Sequence, residues 1–120
     1  LNYLKKKNNQ KLKLGNINTS KDWGWSPEYM EIVHKILQKK NPKDLIIATG
    51  KVYKLKDVLK MAFSKKNLDW KKFVKINKNL LRQKDAAVNK VDVSELKKHI
   101  GQIPKIDITE ILELMLHKKN

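Results

Sequence analysis

The chain has 120 residues, 40% of them apolar, a formal net charge of +16 and no cysteine. That length suits one domain, or part of one, with a modest core, and the lack of cysteine excludes disulfides, thiolate catalysis and cysteine-based zinc sites. Lysine, spread along the whole chain, supplies nearly all of the positive charge and Arg82 is the only arginine, which reads as a solvated, compositionally biased surface and not as the gathered basic stripe of a nucleic-acid module.

The chain opens on Leu1 and not on Met. Its start is therefore expected to be a cut end, with residues 1–11 the remainder of a helix. The stretch from Leu1 to Lys13 is basic but lacks the apolar centre of a signal peptide. No apolar run approaches the length of a membrane span, so no membrane partner is expected and the cytoplasm is the expected location. Lys11 to Leu14 alternates polar and apolar, which suits a short strand broken by Gly15-Asn16. Asn16 to Trp25 reads as a loop carrying Trp23 and Trp25. Ser26-Pro27-Glu28 then starts a helix expected over residues 27–39, with Ser26 as cap, Pro27 in the first turn and Glu28 at the positive end. Tyr29, Met30, Val33, Ile36 and Leu37 follow at helical spacing, and Asn41-Pro42 stops them.

Leu45-Ile46-Ile47-Ala48 is wholly apolar, as in a strand covered on both faces. This chain has too few partners for such a strand, which suggests a sheet supplied from elsewhere. Leu55, Val58, Leu59, Ala62 and Phe63 mark a second amphipathic helix ending near Asn67. Trp70, Phe73, Val74 and Ile76 form a short apolar segment, partly strand. Leu80 to Val91 is ambiguous. Asp92 with Glu95, and Asp107 with Glu110, each read as a capping box. The first box opens a helix with Leu96 and Ile100 inward and Gly101 at its left-handed end. The second opens a helix burying Ile108, Ile111, Leu112 and Met115, with Ile106 stapled onto Ile111. The architecture expected is α/β, mostly helices with a few short strands.

Few residues point to chemistry on their own. The three histidines show no metal-ligand spacing. No Gly-rich loop follows a strand, and Tyr3 with Lys7 is the only Tyr-x-x-x-Lys considered, in a low-information terminus. Trp23 and Trp25 read as hydrophobic plugs, and Asp22 as a local cap. Arg82 with Asp85 reads, by itself, as a surface ion pair at i,i+3.

The ordered whole says more. Leu14-Gly15-Asn16 is followed by Lys21-Asp22-Trp23-Gly24 and a helix bearing Tyr29. Then come Ala48-Thr49-Gly50, the helix Leu55 to Phe63, Leu68-Asp69-Trp70 and two closing helices, Asp92 to Gly101 and Pro104 to Leu116. This succession resembles the GDP-mannose 4,6-dehydratase family of extended short-chain dehydrogenases across nearly all of residues 11–116. The resemblance implies that residues 1–120 are the C-terminal sugar-nucleotide-binding portion, with no complete second domain and with the N-terminal Rossmann sheet missing. Residues of about 27–50 are then expected to pack on that sheet.

The resemblance further implies the parent activity, conversion of GDP-mannose to GDP-4-dehydro-6-deoxymannose on the route to GDP-fucose and related deoxy sugars. NADP would be bound by the missing part, the parent would be a homo-oligomer, and this portion alone would be inactive. GDP-mannose is the implied partner. Arg82 and Asp85 stand on the family's Arg-Pro-x-Glu/Asp signature, where the arginine grips the diphosphate and the acid bonds the ribose. A guanidinium fork matches phosphate oxygens, and a carboxylate accepts from adjacent hydroxyls. Asn16 and Lys21 are the implied contacts from the first loop. No catalytic residue is implied here. Three departures stand out: Gln83 for the signature's proline, Lys21 for an arginine, and Lys54 for a helix-capping serine. The rival readings are another extended short-chain nucleotide-sugar epimerase or dehydratase, and a small basic nucleic-acid-binding module.

Overall fold

The computed structural model describes residues 11–81 and 90–117. In chain order the elements are β1 (Leu12–Leu14), β2 (Ser20–Asp22), α1 (Ser26–Leu37), β3 (Val52–Lys54), α2 (Leu55–Ser64), α3 (Trp70–Phe73), β4 (Val74–Ile76), one 3-10 turn (Lys78–Leu80), α4 (Ser94–Ile100) and α5 (Ile108–His117). Helices dominate and the strands are short, as expected. The chain divides into two compact units, one from residues 1–20 and 54–87, the other from residues 21–53 and 88–120. The expected helix over residues 1–11 lies outside the described residues, apart from Lys11 at its end.

In the first unit β1 pairs in parallel with β4, Leu12 opposite Val74 and Leu14 opposite Ile76. The Asn77 N–H extends the ladder by donating to the Leu14 carbonyl at 2.7 Å. Against this ribbon lies the inner stripe of α2. Leu59, Phe63 and Val74 are buried, with Leu14, Leu55, Trp70 and Phe73 packed around them. Phe63 is only 2% exposed, and its ring meets that of Phe73 at 5.7 Å in a tilted pair. Burying one such side chain stabilises by about 1.5–3 kcal/mol, so this cluster is the main cohesive force of the unit.

The ends of α2 explain its placement. Lys54 occupies the cap position and makes no side-chain cap bond. The first two helical amides are satisfied by backbone instead: Leu55 donates to the Thr19 carbonyl at 2.9 Å and Lys56 to the Ile17 carbonyl at 2.8 Å. Asn67, at φ 54°, takes the left-handed turn that ends the segment, a conformation Asn tolerates better than most residues. Asp69 then caps α3 by accepting from the Lys71 N–H at 3.0 Å.

In the second unit α1 and α4 carry the most buried side chains, Ile32 and Leu96. Ile108 and Ile111 of α5 are buried as expected, and Gly101 ends α4 at φ 80° with its N–H on the Lys97 carbonyl.

Several expectations are corrected. Ser26 is the first residue of α1 and Trp25 holds the cap position without a side-chain bond, so Ser26 lies inside the helix and cannot cap it. Glu28 stands in the first turn as expected and also accepts from the Lys105 and Ile106 N–H groups, both at 3.0 Å. The helix ends at Leu37, not at residue 39. The loop from Asn16 to Trp25 contains β2, which pairs with β3. Residues 45–48 form no strand. Ala48 is buried, but Ile46 is 67% exposed, because an apolar strand needs a hydrogen-bonded neighbour and none pairs with it among the described residues. Asp92 lies one place before the cap position, which Val93 holds, and accepts from the Ser94 N–H, whereas Asp107 directly precedes α5 and caps it as expected, accepting from the Thr109 N–H. Met115, expected to be buried, is 62% exposed.

Gly15 has a steric cause. A β-carbon there would collide with the Leu80 carbonyl. Gly15→Ala should therefore destabilise the protein by about 1–3 kcal/mol, the usual cost of overpacking, read as a lower urea midpoint.

Candidate functional site

The described part of the first unit holds a hollow of about 480 Å³ lined by Gly15, Asn16, Lys56, Trp70, Lys71 and Leu81, with Ile17, Asn18 and Ile76 completing its wall. Its volume lies in the range of small-molecule sites, about 300–1,000 Å³. The turn after β1 is set by Asn16, whose Oδ1 accepts from the Asn18 N–H at 2.9 Å. This local bond gives Asn16 a fixed place on the rim. Lys56 comes from the first turn of α2, and Trp70 and Lys71 from α3. No carboxylate occurs among these described lining residues.

Of the four residues singled out in the sequence, Asn16 lines this hollow. Lys21 is exposed on β2 and belongs to the second unit. Arg82 and Asp85 lie outside the described residues. Leu81, the residue before Arg82, lines the hollow with Asn16. Lys56, Trp70 and Lys71 were missed. Their only sequence signal is position: each stands at the start of a helix that follows a motif landmark, and a lysine attracts no notice in so lysine-rich a chain.

The second unit contains a polar network built around Asp22. Its Oδ1 accepts from the Thr49 N–H at 3.1 Å and the Thr49 hydroxyl at 2.8 Å, and its Oδ2 accepts from the Gly50 N–H at 2.8 Å. Asp22 is thus a clamp across the unit, where sequence suggested a local cap. Gly50 sits at φ 74°, a left-handed conformation natural for glycine. Thr49 Oγ1 in turn accepts from the Lys51 N–H at 3.0 Å. Beside the clamp, Trp23 Nε1 donates to the Tyr53 carbonyl at 3.3 Å, so this tryptophan buttresses β3. Gly24 lets the ring of Tyr29 pass, since a β-carbon there would strike it.

Asp107 forms the other end of the network. It accepts from the Thr109 N–H at 3.2 Å and hydroxyl at 3.1 Å, the Tyr53 hydroxyl at 2.8 Å and Lys51 Nζ at 3.0 Å. These donors, the Thr109 amide first and then Tyr53 and Lys51, hold its carboxyl well below the usual carboxylate range. The same contacts raise Tyr53 and Lys51. The crevice here measures only about 10 Å³, room for about one water. This network therefore orders the unit.

The described residues do not fit a nicotinamide dinucleotide. Such a cofactor rests its pyrophosphate on free amides at a Gly-rich helix start. The four glycines stand singly at 15, 24, 50 and 101. The leading amides of α2 are already bonded to the Ile17 and Thr19 carbonyls, and α1 has Pro27, which lacks an N–H, in its first turn. No three of His, Asp or Glu gather as a metal site, and no helix is long and apolar enough to cross a membrane, both among the described residues.

Comparison with known proteins bears on this architecture. Two solved structures superpose on 88% of the chain with a TM-score of 0.72: RMD from Pseudomonas aeruginosa, complexed with NADPH, at 16% identity, and TunA, an NAD-dependent NDP-hexosamine 5,6-dehydratase of tunicamycin biosynthesis, at 14%. The chain covers 34% of each of them. The fold is thus one shared with part of these two structures. In sequence, the family described as GDP-mannose 4,6 dehydratase matches residues 1–115, and the chain belongs to that family. It is 34% identical over 106 residues to GDP-mannose 4,6 dehydratase 1 of Arabidopsis thaliana, covering 88% of this chain and 29% of that protein. Against the Homo sapiens enzyme the identity is 24% over 121 residues, 87% of this chain and 32% of that protein. The chain therefore spans about 30% of the length of these relatives.

Asp22→Ala would leave the Thr49 and Gly50 amides without their acceptor. It should cost about 2–3 kcal/mol, seen in a urea titration and in faster hydrogen exchange at Gly50. The Asp107 contacts carry a sign in pH. A carboxyl whose folded value is depressed stabilises fully above its unfolded value of 3.8 and loses that contribution as pH falls from there toward the folded value. Melts between pH 6 and about pH 2 should show Asp107→Asn less stable than wild type at pH 6, with the gap closing on acidification.

Proposed function

We propose that this chain is the sugar-nucleotide-binding portion of a GDP-mannose 4,6-dehydratase, with GDP-mannose as its ligand. One observation carries the reading: Asn16 and Leu81, the neighbour of Arg82, line a single hollow of about 480 Å³. The motif that ends β1 and the segment leading into the arginine signature thus share one concavity. On this reading the Asn16 amide and the Arg82 guanidinium hold the diphosphate, Asp85 accepts from the ribose, and Lys21 adds charge. The chemistry this portion performs is binding and orientation. Grip on the remote nucleotide places the sugar for a reaction carried out by the rest of the enzyme.

On this reading the portion is C-terminal and has no turnover by itself. The parent enzyme is an NADP-dependent lyase, cytoplasmic and homo-oligomeric, that forms GDP-4-dehydro-6-deoxymannose. Residues of about 27–50 face its Rossmann sheet. The exposed apolar side chains of that stretch, Met30 at 58%, Leu37 at 73% and Ile46 at 67%, support such cover, because large apolar groups concentrated in one short stretch signal an interface.

Calorimetric titration of the chain with GDP-mannose, a UDP-sugar and a dTDP-sugar tests the assignment. GDP-mannose should bind best, and Arg82→Lys should weaken it about tenfold, since lysine cannot reproduce the guanidinium fork. A clear preference for UDP- or dTDP-sugars would overturn the base assignment. Addition of NADP to the GDP-mannose complex should give no product.

A further inference from the structure

The hollow of the first unit contains two cations that no motif of the sequence identifies. Lys56 is half-buried at the second position of α2, and its backbone N–H is engaged by the Ile17 carbonyl at 2.8 Å. What this residue has left for a ligand is its ammonium group, not its amide. Lys71 stands on α3, where its backbone N–H is held by the Asp69 carboxylate at 3.0 Å. The acid nearest Lys56 in sequence, Asp57, is paired with Lys60 at 3.5 Å. Among the described residues neither Lys56 nor Lys71 has a carboxylate within ion-pair distance, and no acid lines the hollow.

Half-buried Lys56 and exposed Lys71 thus line one hollow with no described acid, and like charges on one concave surface favour an anion. An anion is the natural relief. A single carboxylate or monophosphate would serve one lysine, whereas a diphosphate ester offers oxygens to both. Trp70, packed at once against the core of the unit and on the wall of the hollow, supplies the flat apolar surface that the uncharged part of such a ligand needs.

We infer that Lys56 and Lys71 are the lysines that hold the diphosphate of the sugar nucleotide, each as a point contact. This rests on the reading that the hollow binds a sugar nucleotide, and deepens it by naming contacts that the motif-based assignment of Asn16, Lys21, Arg82 and Asp85 lacks.

The test is a set of titrations of the full chain at fixed salt with GDP-mannose, GDP and guanosine. The proteins are wild type, Lys56→Gln, Lys71→Gln, Lys56→Arg and the control Lys60→Gln. The control removes the same charge from an exposed site on the same helix. Each of Lys56→Gln and Lys71→Gln should weaken GDP-mannose and GDP about tenfold, as for one charge-assisted contact. Lys56→Arg should keep most of the affinity, Lys60→Gln should stay within about twofold, and guanosine should respond to none of them. Circular dichroism confirms that each variant is folded. An equal loss in Lys60→Gln would assign the effect to overall charge and overturn the inference. Wild-type affinity in both glutamine variants, with loss only in Arg82→Lys, would overturn it too and leave the proposed function standing. No binding of GDP-mannose by wild type would overturn the proposed function itself.

Discussion

The carboxylate of Asp22 organises the second unit. It collects two backbone amides and a hydroxyl from Thr49 and Gly50, residues 27 and 28 positions away in the chain. An ionised acceptor with several well-aligned donors is among the stronger polar contacts available to a protein. From this clamp the order spreads through adjacent bonds. Thr49 holds the Lys51 amide, Lys51 and Tyr53 reach Asp107, and Asp107 in turn bonds the first turn of α5. Residues 45–48 have no ladder of their own, so this polar fixing at their C-terminal end does what strand pairing would otherwise do. The two landmarks Lys21-Asp22-Trp23-Gly24 and Ala48-Thr49-Gly50 are therefore halves of one device, which gives their joint presence in the sequence a physical reason.

The first unit is organised by close approach. Gly15 admits the Leu80 carbonyl, which draws the turn after β1 and the 3-10 segment together. The carbonyls of Ile17 and Thr19 cap α2 where a serine side chain could have done so. Using loop carbonyls for this purpose fixes the loop and the helix to each other, and it also places Lys56 beside Asn16 on the hollow. The absence of a cap side chain at Lys54 is thus a smaller defect than it looks from the sequence.

Charge is a poor guide to this protein when taken in bulk. A net +16 suggests a polyanion partner, yet the lysines are dispersed and most are solvated. What would matter for binding is where cations line a concavity with no described acid, as Lys56 and Lys71 do in the first unit. An exposed lysine elsewhere on the surface is screened within about 8–10 Å at ordinary salt.

Much of the fold was legible in the chain itself. The apolar periodicity of α2, the left-handed Gly101, the buried Ile108 and Ile111, and the strand at Leu12–Leu14 follow from local side-chain spacing and backbone preference. Asn16, as a turn residue at a strand end, was legible for the same reason. Other features needed the tertiary structure. The apolar run at 45–48 looks like a strand because periodicity reports burial and not pairing, and pairing depends on a neighbour that the run does not contain. Ser26 looks like a capping residue because its type is right, but a one-residue shift in the helix start moved it inside; Glu28 stands in the first turn as expected, but its bonds to the Lys105 and Ile106 amides needed the fold. Asp22 was legible as an acceptor, but its donors lie 27 and 28 residues away. Lys56 and Lys71 were invisible among so many lysines. Sequence determines which groups can bond or bury; only folding decides which of them meet, because contacts between distant residues depend on the path of the whole chain between them.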